Sequence, residues 1–150
     1  MGEPRARLAR TRDVGLELAN FALAAYMTGV IWIVQVVHYP LFAAVGQAQW
    51  AAYEAAHQRR ITVVVGPPML AAPVVAAALL AQRPGVLAGV NLGLAAGLLL
   101  VTVAVFGRLH TGLEATWSAE AHRRLLRLNG VRAVAWTAQA AVAAALVAAA

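Results

Sequence analysis

Four apolar runs, at 15–37, 61–81, 86–107 and 130–149, dominate the chain. Each is long enough as a helix to cross a hydrocarbon core of about 30 Å, which takes about 20 residues. Lipid offers no partner to an open backbone amide, so runs of this kind must satisfy their hydrogen bonds internally as helices. The hydrophobic share of 62% also lies above the roughly 45–50% of soluble domains. The expectation is an all-α protein: a four-helix transmembrane bundle with two short interfacial connector helices on one face. Residues 1–13 read as a basic tail and 14–150 as a single transmembrane domain. Arg5, Arg7, Arg10 and Arg12 precede the first run as they would in a signal peptide. That run is too long, and Ala22-Leu23-Ala24 comes too early for cleavage, so a retained helix is expected.

An even number of crossings decides where the polar connectors lie. The ends of the first and third runs share a face with the starts of the second and fourth, and both long connectors join them there. His38, His57, His110 and His122, all the histidines of the chain, fall in or beside those connectors and therefore share that face. The same face holds Arg59, Arg60, Arg108, Arg123, Arg124, Arg127 and Arg132, against the tail and Arg83 on the other. The positive-inside rule then favours a cytoplasmic histidine face, although a tail with four arginines is awkward to translocate.

Imidazole is the commonest metal ligand among side chains, so a rim of four suggests a metal site. With no cysteine, thiolate zinc sites, iron–sulfur clusters and disulfides are excluded. Histidine ligation suits copper, iron or zinc and argues against calcium or magnesium. Paired imidazoles also suit the axial positions of a haem. The net charge of +6 comes from arginines that flank the apolar runs, which points to anionic lipid headgroups and not to nucleic acid. No phosphate-cradling glycine loop is present. The lack of carboxylates inside the runs, apart from Glu17, disfavours a proton-coupled transporter.

Other residues attach themselves to this rim by spacing. Gln35 lies three residues before His38 and can fix its tautomer. Glu54 lies three before His57 and can orient it, ligate a metal, or pair with Arg59 or Arg60. His122, Asn129 and Trp136 recur every seven residues on the last helix, with Arg132 and Gln139 on the same stripe. An arginine this far inside a span either lines a cavity or snorkels to headgroups with a cation–π contact to Trp136. Ser118 is a suitable helix cap, followed by Glu120. Tyr39-Pro40 should end the first helix, and Pro67, Pro68 and Pro73 should curve the second. Gly89, Gly93 and Gly97 form a strip on which a neighbouring helix or a second copy can pack.

At Gln35-Val36-Val37-His38-Tyr39-Pro40-Leu41-Phe42, then Tyr53-Glu54-Ala55-Ala56-His57 and Arg60-Ile61-Thr62, the chain resembles a family of small bacterial four-span integral membrane proteins. Where that family opens its last helix with Asn-Trp-x-Arg-Thr, this chain keeps Asn129 and Arg132. A second histidine sometimes stands in the family at the position of Glu54. The resemblance covers nearly everything after the tail and implies a bacterial inner membrane, with no activity attached. A looser likeness is to four-helix haem and copper membrane proteins, among them the small protoporphyrinogen oxidases and copper-resistance membrane domains. The expected function is a metal- or haem-dependent oxidoreductase acting on an apolar molecule from the bilayer. His38, His57, His110 and His122 hold the metal in this reading. Glu54 and Arg132 serve the chemistry, and Gln35, Asn129 and Trp136 line the cofactor. A metal-handling or transport protein and a non-catalytic membrane scaffold are the alternatives.

Overall fold

A computed structural model describes residues 3–150, with side chains from residue 15 onward. The side chains of the basic tail therefore lie outside the described residues. Helix α1 spans Glu3–Ile33 and continues through a π-helical segment, Val34–His38, a single α-turn α2, Tyr39–Leu41, and a 3-10 turn, Phe42–Ala44. Helix α3 runs over Gln47–Gln82, and a tight turn at Arg83–Gly85 leads to α4, Val86–Val101. A second π-helical segment, Thr102–Phe106, joins α4 to α5, Gly107–Ala115, and α6 covers Ala119–Ala148. No strand occurs among the described residues. Four continuous stretches, Gly15–Ala44, Gln47–Gln82, Val86–Ala115 and Ala119–Ala148, are long and apolar enough to cross a membrane. The chain is a multi-pass, four-helix membrane bundle.

The helices pass the expected boundaries. Pro40 does not end the first span; it sits in the opening turn of α2, directly after a π-helical segment that widens the helix ahead of it. The π-helical segment before it lets the Tyr39 amide donate to Val34 O, five residues back. The connector helices are the opening turns of α3 and α6 and not separate elements. Pro67, Pro68 and Pro73 sit inside α3, which continues unbroken. Ser118 caps α6 as its sequence position suggests, accepting from the Ala121 amide at 3.3 Å.

Helix α1 packs on α6 and α3, while α4 packs on α3 and α6, so the four spans close a ring. Bulky side chains such as Val63 and Val103 point outward, as an apolar solvent requires. The interior is layered. Met27, Ile31, Met69, Ala72, Ala76, Ala95, Leu98, Ala133 and Trp136 form an apolar middle. At one end lie Asn20 and Asn91, which exchange amide hydrogen bonds at 3.1 and 3.3 Å, and Glu17, which accepts from Arg83 Nη1 at 2.6 Å. The opposite end is aromatic, built on Tyr39, Phe42, Trp50 and Phe106.

The glycine strip does not serve packing within the bundle. Among the described residues a Cβ at Gly89, Gly93 or Gly97 would meet nothing within 4 Å, so no described helix packs directly onto the strip. Gly93 and Gly97 instead border a shallow groove between α4 and α6.

Candidate functional site: a histidine–glutamate network at one end of the bundle

All four histidines converge on the aromatic end. The π-helical segment of the first span delivers His38, α2 brings Tyr39, α3 brings Glu54 and His57, α5 brings His110, and α6 brings His122. The His38 and His57 rings lie 4.6 Å apart, and those of His57 and His110 lie 5.5 Å apart. Phe42 packs edge-on against His38 and His57 and stacks on His122, separating the last imidazole from the others. Trp117 covers the outer side of His122.

Hydrogen bonds join these groups into two sets, Glu54–His110–Tyr39–His122 and His38–His57, which meet through the His57–His110 ring contact. His110 is held at both nitrogens, by Glu54 Oε1 at Nδ1 (2.5 Å) and by the Tyr39 hydroxyl at Nε2 (2.8 Å). His38 Nε2 meets His57 Nδ1 at 2.8 Å, and His122 Nε2 donates to the Tyr39 carbonyl at 2.8 Å. Two atoms are left over. Glu54 Oε2 and His57 Nε2 are both fully buried and without a hydrogen-bond partner. They belong to residues one turn apart on the same face of α3, in a Glu-x-x-His arrangement. Such a pair is what metal-binding helical bundles present to an ion in their core. As the side chains stand, no group of three His, Asp or Glu among the described residues is disposed to hold a metal.

Several expected pairings are replaced by others. Gln35 does not reach His38; its Oε1 accepts from Asn129 Nδ2 at 2.8 Å. The π-helical backbone at 34–38 changes the angular offset on which the expected pairing relied. Glu54 forms no exposed pair with Arg59 or Arg60, since its side chain is wholly buried on His110. Arg132 is buried and does not snorkel. Its Nε and Nη2 donate to Asn129 Oδ1 at 3.1 and 2.6 Å, and its guanidinium lies 3.8 Å over the Phe106 ring instead of stacking on Trp136. Trp136 belongs to the apolar middle layer. Tyr39 is the residue that the spacing arguments missed. It bonds to two histidines from two different atoms, and its sequence context as a pre-proline residue masked that role.

Two cavities flank the network. The larger, about 450 Å³, lies between the first span and α3 and is bordered by His38, His57, Tyr53 and Arg60, with aliphatic walls from Val30, Ile33 and Val64 among others. Ile33 and Val64 are exposed on the lipid-facing side of the bundle, so this cavity opens sideways toward acyl chains. The smaller, about 150 Å³, lies on the other side, against Tyr39, His110 and Arg132. No protein family, no curated protein and no solved structure matches this chain.

Proposed function

We propose that the chain is a metal-dependent membrane oxidoreductase whose substrate is an apolar molecule drawn from the bilayer. The observation that carries this reading is the pair of partnerless buried atoms, Glu54 Oε2 and His57 Nε2. Leaving a buried polar atom unpaired costs about 1–3 kcal/mol, and more for a charged carboxylate, so both atoms call for a further partner. A transition metal ion satisfies both at once and offsets the carboxylate charge. His38 and His110 then act as orienting groups. His57 donating from Nδ1 to His38 leaves its Nε2 lone pair free, and His110 holds the Glu54 carboxylate by its other oxygen. A metal ion suits this spacing better than a haem, because rings 4.6 and 5.5 Å apart leave no room for a macrocycle between them.

The lateral cavity supports an apolar substrate, since His38 and His57 stand at the end of an aliphatic chamber open to lipid. With Glu54 Oε2 and His57 Nε2 as the two buried donors, the remaining coordination positions go to water or substrate, and a catalytic metal site keeps such an open position. The same small donor count favours a second reading, a metal-handling protein from which the ion exchanges readily. The arginine distribution supports a cytoplasmic histidine face, and the family resemblance implies a bacterial inner membrane. The uncovered glycine strip supports a homo-oligomer that buries it.

Metal analysis and an optical spectrum of the detergent-purified protein test the proposal. A transition metal near one per chain, lost in Glu54→Gln and His57→Ala and kept in His122→Ala, is the expected result. A chain that retains no metal after growth in replete medium and cannot rebind it overturns the reading. Metal flux in proteoliposomes, without oxidation of quinones or aromatics, selects the metal-handling alternative.

A further inference from the structure

Arg132 carries a charge into the bundle that nothing of opposite sign meets. Its side chain is buried, and among the described residues it forms no ion pair. The partners it has are neutral: the amide oxygen of Asn129 and the face of Phe106. The Glu54 carboxylate at the same end of the bundle is engaged with His110. A buried charge without a compensating partner is strongly unfavourable, and intramembrane arginines ordinarily pair or line a cavity. Arg132 does line one. The cavity of about 150 Å³ is bordered by Arg132 with the polar residues Tyr39, Gln58, Thr62, Thr102 and His110, and no acidic residue borders it.

We infer that this cavity is a binding site for a small planar oxyanion of the carboxylate type, held by the Arg132 guanidinium. The volume, about five waters at roughly 30 Å³ each, accommodates a carboxylate of a few heavy atoms. The guanidinium's parallel N–H groups match the two oxygens of a carboxylate. The aromatic ring beneath Arg132 and the Asn129 amide fix the plane in which the anion is met. Tyr39 and His110 stand between this cavity and Glu54, and the His110 ring lies 5.5 Å from that of His57, which borders the lateral cavity. The inference does not depend on a metal, because no free donor atom of the proposed metal pair borders this cavity.

The test is a titration of the full chain in nanodiscs, stripped of metal with a chelator, with sodium formate and separately with sodium acetate. Sodium gluconate, too large for the cavity, holds the ionic strength constant. Thermal melting followed by circular dichroism should rise saturably with formate and acetate and stay flat with gluconate alone. Arg132→Gln should weaken formate binding by about 30-fold or more, the scale of a lost charge-assisted pair. Val65→Phe, which places a ring in the cavity, should abolish binding with the arginine still present. No saturable response in the unaltered chain, binding as tight in Arg132→Gln or in Val65→Phe, or a response that appears only in metal-loaded protein would each overturn the assignment. The last result would leave the metal proposal standing, and loss of metal binding with an intact formate response would remove that proposal alone.

Discussion

Tyr39→Phe isolates one bond of the network. The ring is kept, with its contacts to Phe42 at 5.2 Å and to His110 at 5.5 Å between centroids, so packing changes little. What disappears is the hydroxyl that meets His110 Nε2 at 2.8 Å. That nitrogen is then a buried acceptor with no donor. A neutral hydrogen bond contributes about 0.5–1.5 kcal/mol net, and stranding its partner costs about 1–3 kcal/mol. Interhelical hydrogen bonds measured inside membranes lie lower, near 0.6 kcal/mol with a maximum of about 1.7, because the unfolded helices find other partners. The two ranges meet at about 1–1.5 kcal/mol, close to a tenfold fall in the ratio of folded to unfolded protein. Reversible unfolding in mixed micelles with increasing sodium dodecyl sulfate, followed by circular dichroism, reads this directly. Combining Tyr39→Phe with His110→Ala should show a coupling energy of about 1 kcal/mol, since the second change removes the stranded partner. A Tyr39→Phe effect below about 0.3 kcal/mol, or additive single and double variants, would refute the claim that Tyr39 braces His110.

Three further outcomes follow from contacts elsewhere. Asn20→Ala and Asn91→Ala should each destabilise by about 1 kcal/mol, and the double variant should lose less than their sum, because each amide is the other's partner in the same unfolding assay. Arg83→Ala should cost on the order of 1 kcal/mol by leaving the buried Glu17 carboxylate unpaired, with part of the loss recovered in Arg83→Ala/Glu17→Gln; the exposure of Arg83 to solvent limits the effect. Gly93→Ala and Gly97→Ala should leave the monomer as stable as before, since the new methyl meets nothing, while any oligomer seen by cross-linking in nanodiscs should weaken.

Much of the architecture was legible from residue pattern because the bilayer permits so few solutions. Four long apolar runs dictated four helices, and parity brought His38, His57, His110 and His122 to one end before any coordinate was known. The pairings within that end were less legible. Glu54 had several polar neighbours in sequence, yet its partner is His110, 56 residues away, reached only because the third span continues past Val101 through a π-helical segment into α5. Gln35 and His38 share a face on an α-helix, but the backbone there is not α-helical. Arg132 had Trp136 one turn away on its own helix and chose Phe106 from a neighbouring one. Spacing describes a single helix well, and these contacts depend on the rotation of one helix against another.

The metal assignment at Glu54 and His57 is tested most directly by X-ray absorption on zinc-loaded protein in nanodiscs. Zinc is bound by histidine nitrogen and carboxylate oxygen at about 2.0–2.2 Å, so the account predicts a nitrogen/oxygen shell at that distance with imidazole scattering. That imidazole signature should vanish in His57→Ala and persist in His122→Ala. Imidazole scattering unchanged by His57→Ala, or a protein that holds no zinc, would contradict it.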